Sequence, residues 1–489
     1  MTVEYLRYYA IERPGAVALV AGDRTVTYGE FARDLWKFAR ALQSFGLKRG
    51  SAIAIGCDDF YVHWLLILAA EHLGLATASF QAAEGRAAQP LLGSVDLVLA
   101  EPHYPPGGWN TRPITPDWVA AVFAGPDDGP LPPAPSSPQD FLRITRTSGT
   151  TGQAKRMHYQ RSLIEARQAR VIWLYREAPA GGSLLLNLPL SIGGTVLTAS
   201  WAIRTGYTLV HHKAETMAEL LPLIGRHKVA RVSLLPVQLE QLLDALPGDW
   251  VKPDHLEIVG FGAAVPEPLR RRALDRLASV VTEIYGANEG GVVSVVRRPG
   301  MEGFGTILPG VDVEIVDETD RVLPDGTEGL IRYRSPSVFA GYADDPTLTR
   351  RVLRDGWFYS GDVGLRRGEL LRVTGRLDDQ VNIGGVKYPL TRIEEVARRT
   401  GGGGLADAGA VPIANAAGIA EIHLALVTDG SDDRALLDRV IAALRPVIGG
   451  NLHFIRLGSI PRNDMGKIDR AQLRQAIVAA RPAAGGSDG

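Results

Sequence analysis

The segment Thr147-Ser148-Gly149-Thr150-Thr151-Gly152-Gln153-Ala154-Lys155 sets four hydroxyls within five positions, beside two glycines and a terminal ammonium. Glycines at 149 and 152 free the backbone to turn and to approach a ligand closely. The N–H groups exposed by such a turn, with the hydroxyls and the charge of Lys155, make a cradle for an anion of the phosphate kind. The Gly-Lys-Ser/Thr spacing of a Walker loop is absent. Taken alone, the segment reads equally as a solvated Ser/Thr/Gly linker.

Four further segments gather chemistry-bearing residues. Tyr285-Gly286-Ala287-Asn288-Glu289 follows an apolar strand, where a turn would expose it at a sheet edge. Tyr359-Ser360-Gly361-Asp362 is a short turn ending in a carboxylate. Gly375-Arg376-Leu377-Asp378-Asp379-Gln380 leads on to Gly384-Gly385. Near the end stands Pro461-Arg462-Asn463-Asp464-Met465-Gly466-Lys467-Ile468-Asp469-Arg470. Singly these have ordinary readings: a strand end, a Gly-Asp turn, a charged linker and a solvated lysine.

Together, in this order, and with Thr25-Val26-Thr27-Tyr28-Gly29-Glu30-Phe31 ahead of them, they resemble the superfamily of acyl-CoA synthetases, peptide-synthetase adenylation domains and luciferases. The resemblance covers nearly the whole chain. It implies ATP and Mg²⁺ as cofactors, with the 147–155 loop on the phosphates. Tyr285 then stacks on adenine, beside Gly286 and a wall of Gly262, Ala263 and Ala264. Asn288 faces the α-phosphate and Glu289 holds the metal, as a hard cation wants carboxylate oxygens. Asp362 accepts from the ribose hydroxyls, and Arg376 contacts the nucleotide. Asp378 is the hinge, Gly384 and Gly385 line the channel for a pantetheine arm, and Lys467 is the catalytic lysine bridging carboxylate and α-phosphate.

The chain departs from the family pattern in several places. Ala154 replaces a proline and Arg156 a glycine; Arg156 either adds charge near the β- and γ-phosphates or points to solvent. Asn288 replaces a threonine, and its amide can still donate to a phosphate oxygen. The acyl-pocket segment is Leu190-Ser191-Ile192-Gly193-Gly194, with Phe261 and Gly286 as further walls. It lacks the histidine or aromatic that many relatives carry after Pro-Leu. It also lacks the aspartate that pairs with a substrate ammonium. A buried unpaired ammonium is costly, so the expected substrate is an aryl, alicyclic or acyl acid without an α-amino group. The region before Pro461 lacks the family's proline-bounded segment.

The expected reaction is ATP-dependent formation of an acyl-AMP with release of pyrophosphate, then acyl transfer. The acceptor is a thiol, of coenzyme A or of a carrier protein's phosphopantetheine; a free amine is the alternative. A non-catalytic nucleotide-binding homologue is the third reading, and the joint presence of Lys155, Glu289, Asp362 and Lys467 stands against it.

The elements that must position these groups alternate. Residues 31–45 repeat apolar side chains at helical spacing, residues 51–56 read as a strand, and 61–73 as a buried helix. Strands are expected at 183–188, 207–211, 230–235, 256–261 and 279–285, with helices at 217–225 and 237–245 between them. The proline-rich stretch 125–138 reads as an exposed connection, and 311–333 as a small β-rich subdomain. The expected fold class is α/β. A large N-terminal adenylating domain with mixed sheets spans 1–377, and a small mobile α+β domain spans 378–482. A disordered tail follows at 483–489.

The 489 residues exceed what one core usually serves, and 45% are hydrophobic. Lys plus Arg number 53 and Asp plus Glu 54, a net charge of −1. That balance argues for no nucleic acid and no anionic membrane as partner. The single cysteine, Cys57, rules out an internal disulfide and reads as a core residue. No signal peptide is evident at Met1-Thr2-Val3-Glu4-Tyr5, and no apolar run spans a bilayer, so a cytoplasmic location is expected.

Overall fold

The computed structural model describes the chain apart from residues 83, 85–87, 105–108, 148–154, 176–180, 263, 298–300, 302, 378–379, 384–385, 415–419, 429–432, 449–451, 464–465 and 481–489. It divides into two units. The first comprises Met1–Glu302, Ile307–Asp312 and Tyr333–Phe358; the second comprises Gly303–Thr306, Val313–Arg332 and Tyr359–Gly489. Among the described residues no helix is long and apolar enough to cross a membrane.

The first unit carries two sheets. One runs Thr111–Pro113, Leu97–Ala100, Ala52–Gly56, Ala76–Ser79, Phe141–Thr147, Lys155–Gln160 in spatial order. Its first five strands are parallel and the last closes an antiparallel hairpin. The other places the parallel strands Val280–Ala287, Glu257–Gly260, Val229–Leu234, Ser183–Leu186, Thr208–His211 and Val17–Ala21 side by side, with antiparallel partners at both ends. Parallel strands covered on both faces must be apolar throughout. Val229–Leu234 is accordingly buried at every position, even at Arg231, whose charge is met by Glu257.

Local signals fix the helix starts. Thr27 accepts from the Glu30 N–H while the Glu30 side chain reaches back, a capping box that opens Tyr28–Gln43. The Asp59 carboxylate caps Phe60–His72, which is buried on nearly all sides. The stretch 125–138 forms no helix or strand, yet it is fastened: Leu131 O lies 3.0 Å from His72 Nε2, and Ala134 N–H donates to His72 O.

Most residues of a β-rich group fall in the second unit; in it Trp357–Arg367 and Leu370–Arg376 pair antiparallel, with Gly329–Arg334, Asp312–Val316 and Gly305–Ile307 as its other strands. A hairpin, Gln380–Ile383 with Val386–Pro389, follows. Then comes a three-stranded sheet of Leu405–Ala414, Ala420–Thr428 and Leu452–Arg456. Helices Leu390–Gly401 and Asp433–Ile448 cover one face through Ile393, Ile422, Leu424, Leu436 and Val440. Helix Arg470–Ala480 covers the other through Val411, Ala425, Leu473 and Ile477. Two of these strands, Leu405–Ala414 and Leu452–Arg456, were not expected from the sequence.

Candidate active site

The two ends of the phosphate-loop segment stand on paired strands. Phe141–Thr147 and Lys155–Gln160 pair with Thr147 opposite Lys155. Ser148, Gly149, Thr150, Thr151 and Gly152 lie outside the described residues. Lys155 Nζ stands 5.4 Å from the centre of the Tyr342 ring. The Tyr342 hydroxyl donates to Glu289 Oε1 at 2.8 Å. One aromatic side chain thus joins the ammonium at the loop's end to the Glu289 carboxylate. That set fits a metal–polyphosphate: a hard oxygen donor for Mg²⁺ and a cation for the phosphates, on either side of one ring. Arg156 does not stand free in solvent. It forms a two-pronged ion pair with Asp344, Nε to Oδ2 at 2.5 Å, and so ties the hairpin to the segment holding Tyr342.

Tyr285 falls in a strand as expected, but Gly286 and Ala287, expected in the turn after it, continue the strand Val280–Ala287. They pair with Gly291–Val296 across a register shift between Tyr285 and Gly286, and the turn falls at 288–290. The sequence misled because glycine seldom continues a strand. Here the two backbones approach too closely for anything else: a Cβ at 286 would clash with the Gly291 carbonyl oxygen.

The turn is held from below by a residue that sequence reasoning missed. Buried Arg167 donates from Nη2 to Asn288 O (2.7 Å) and Glu289 O (3.2 Å), and from Nε and Nη2 to Ser337 O (3.1 and 2.9 Å). Its guanidinium lies 4.4 Å from the Tyr159 ring centre, and the Tyr159 hydroxyl donates to Asn288 O at 2.6 Å. Phe339 N–H donates to Glu289 O at 2.7 Å. One signal was there to be read. Arg167 falls four residues after Leu163 and four before Val171, on the buried face of Arg161–Leu174.

The acyl-pocket segment is pinned at two points. Leu190 O accepts from Arg143 Nη2 at 2.7 Å, and Ser191 Oγ accepts from Gln81 Nε2 at 2.8 Å. Gly193 opens the helix Gly193–Thr205. A Cβ there would stand 3.2 Å from Thr145 Cγ2 and 3.6 Å from Asn288 Oδ1, so the segment passes close to the Asn288 side chain. Gly194 has open space around it. Phe261 and Gly262 follow the strand Glu257–Gly260, whose pairing of Gly260 with Glu283 puts them at the same sheet end as Tyr285. Ala264 is exposed, and Ala263 lies outside the described residues.

Behind the pocket segment lies a buried polar chain. Arg143 also donates to Thr77 Oγ1 (3.1 Å) and Ser79 Oγ (2.9 Å). His63 Nε2 lies 2.8 Å from Ser79 Oγ and its Nδ1 3.0 Å from Cys57 O. Burial pulls the Arg143 guanidinium down to about 10. Burial first, then the charge of Arg143, pulls His63 down to about 3 from an ordinary 6.5. Cys57 is buried as expected, its thiol pushed up by burial and by Glu101.

The His63 shift sets an expected pH dependence. The unfolded chain takes up this proton below pH 6.5 and the folded chain only near pH 3. Stability from this residue is therefore fully present above pH 6.5 and falls by about 1.4 kcal/mol per pH unit between those limits. Urea midpoints at pH 7 and pH 5 should differ less in His63→Gln than in the parent. An equal difference would mean that His63 takes up its proton with the fold intact.

The second unit carries the other expected residues. Asp362 and Arg376 are paired across neighbouring strands, with Arg376 Nε 3.7 Å from Asp362 Oδ1. Residues 359–362, read from the sequence as a turn, lie within the strand Trp357–Arg367; there the Asp362 N–H donates to Ser360 Oγ, and Gly361 adopts φ +75°, a conformation that favours glycine. Lys467 is exposed on a tight turn. Asn463 N–H donates to Lys467 O (2.8 Å), Lys467 N–H to Asn463 Oδ1 (3.0 Å), and Gly466 N–H to Asn463 O (2.8 Å). Asp378, Gly384 and Gly385 lie outside the described residues.

The sequence matches the AMP-binding enzyme family over residues 6–343. The indoleacetate–CoA ligase of Aromatoleum aromaticum is 27% identical over 423 residues, covering 80% of this chain and 82% of that protein. ATP-bound MatB from Rhodopseudomonas palustris shares the fold with a TM-score of 0.85 at 20% identity, over 97% of this chain and 99% of that one. The amide bond synthetase McbA from Marinactinospora thermotolerans does so with a TM-score of 0.80 at 23% identity, over 97% and 99%. The chain belongs to the AMP-binding enzyme family and is an AMP-forming ligase.

Proposed function

We propose that the protein activates a carboxylic acid without an α-amino group as its acyl-adenylate and passes the acyl group to a thiol, of coenzyme A or of a carrier protein. The observation that carries the adenylation half is the Lys155–Tyr342–Glu289 group, a cation and a hard carboxylate meeting at one ring. For the acid, the support is the pocket segment. Among its described residues 188–194 there is no carboxylate for an ammonium, and the Ser191 hydroxyl is engaged by Gln81.

In this reading a carboxylate oxygen of the acid attacks the α-phosphorus in line. The P–O bond to the β-phosphate breaks and pyrophosphate leaves. The chain's part is positioning and charge. Lys155 holds the departing phosphates, Asn288 and Lys467 face the α-phosphate, Asp362 and Arg376 hold the ribose and nucleotide, and Tyr285 covers adenine. Glu289 would hold Mg²⁺, whose contribution is to neutralise phosphate charge. Residues 378–482 then move about Asp378, and the thiol reaches the adenylate past Gly384 and Gly385. A cytoplasmic location belongs to the same proposal.

Glu289→Gln keeps an acceptor for Tyr342 but loses the charge, so its half-saturating Mg²⁺ should rise at least about tenfold. An unchanged magnesium titration of pyrophosphate exchange would remove Glu289 from the metal. The acceptor is tested by product analysis with an active acid, ATP and either coenzyme A or a panel of amines. Thioester formation supports the thiol reading. Amide formation with coenzyme A left unconsumed would favour the amine acceptor, a chemistry named for one protein of this fold.

A further inference from the structure

The three-stranded sheet of the second unit ends in a polar cluster that adenylation does not use. Along Ala420–Thr428, alternate side chains face the helix Arg470–Ala480, and Ala425 and Val427 join an apolar cluster there with Ile460, Leu473 and Ile477. Two and four residues before Ala425, the same face presents His423 and Glu421. The parallel neighbour Leu452–Arg456 does likewise: Ile455 belongs to the apolar cluster, and two residues earlier His453 stands in register with His423. The apolar face thus becomes a histidine–histidine–carboxylate face on both strands at the same level.

The groups converge. The imidazoles of His423 and His453 stack with centroids 4.6 Å apart and planes 9° from parallel, so the half-exposed His453 ring must turn for both to point a nitrogen at one ion. Glu421 Oε2 lies 2.9 Å from His453 Nε2. One donor atom from each of the three residues lies within 4.8 Å of the other two. His423 is only 2% exposed, whereas the His453 side chain is 46% exposed and that of Glu421 20%. An ion pair needs only Glu421 and His453; the buried third group, held by strand register, completes a donor set open to solvent on one side.

We propose that Glu421, His423 and His453 form a site for a divalent transition-metal ion of the Zn²⁺ class. Two imidazoles and one carboxylate are the mixed nitrogen–oxygen set that Zn²⁺ takes, with a fourth position left to water. Mg²⁺ and Ca²⁺ want oxygen ligands throughout, so the site differs in chemistry from the magnesium assigned to Glu289. Binding joins two strands whose histidines lie 30 residues apart, and it stabilises the folded second unit by mass action.

The test uses the full chain, stripped with a chelator and dialysed against Zn²⁺ in excess Mg²⁺. The expected result is one Zn²⁺ retained per chain and a raised thermal midpoint. Co²⁺ in its place should give the visible absorption of a low-coordinate nitrogen–oxygen site. His453→Gln, at a half-exposed position, and Glu421→Gln should keep the chelator-treated thermal midpoint and lose at least about tenfold in Zn²⁺ affinity, since even an outer-shell partner is worth that much. No retained Zn²⁺, or retention equal in the parent and both variants, overturns the proposal.

Discussion

Lys467→Ala is expected to lower acid-dependent pyrophosphate exchange by at least about 100-fold, the loss seen when one charge-stabilising donor is removed from a preorganised site. The turn that carries Lys467 should survive. Its bonds run through the backbone of residues 463, 466 and 467 and the Asn463 side chain, and alanine keeps all of them. The thermal midpoint should therefore move little. Transfer from added acyl-adenylate to the thiol should persist, because Lys467 is assigned to the first half-reaction alone. Exchange at the parental rate would remove Lys467 from the adenylation machinery; equal loss in both half-reactions would mean that it serves the fold or both steps.

Arg167→Met is expected to destabilise the protein by about 3 kcal/mol and to slow exchange at least about tenfold. The side chain is buried, and hydrogen bonds from a charged donor contribute about 1.5–3 kcal/mol each. Asn288 O keeps the Tyr159 hydroxyl and Glu289 O keeps the Phe339 N–H, but Ser337 O loses both guanidinium donors. Urea denaturation measures the first effect and the exchange rate the second. Arg167→Lys should recover little of either, because one ammonium cannot reproduce a fork that reaches three carbonyls. A parental urea midpoint in Arg167→Met would show that the other donors suffice to hold the turn.

These two residues mark what the sequence could and could not reveal. Lys467, Lys155 and Glu289 sit at turns and strand ends and Asp362 within a strand, but each belongs to a short contiguous segment of chemistry-bearing residues, so order along the chain made them legible. Arg167 and Arg143 act across the fold. Arg167 meets Ser337 at a separation of 170 residues, and Arg143 meets Leu190 at 47. No local pattern encodes such partners. The same holds for Arg156, whose partner Asp344 is 188 residues away.

The mixed α/β architecture was legible because alternating helical and strand periods survive in single segments such as Tyr28–Gln43 and Val229–Leu234. The strand Leu405–Ala414 was not: its Asp407, Gly409 and Pro412 argue for a loop, and only its long pairing with Ala420–Thr428 makes it a strand. Gly286 misled in the same way, since the reason for that glycine is the backbone opposite it.

The measurement that bears most directly on the account is acid-dependent ATP–pyrophosphate exchange by the full chain, with pooled aryl, alicyclic, fatty and amino acids. The account predicts exchange in a pool without α-amino groups, and its loss in Lys467→Ala. Exchange with amino acids alone, or none in any pool, would contradict it.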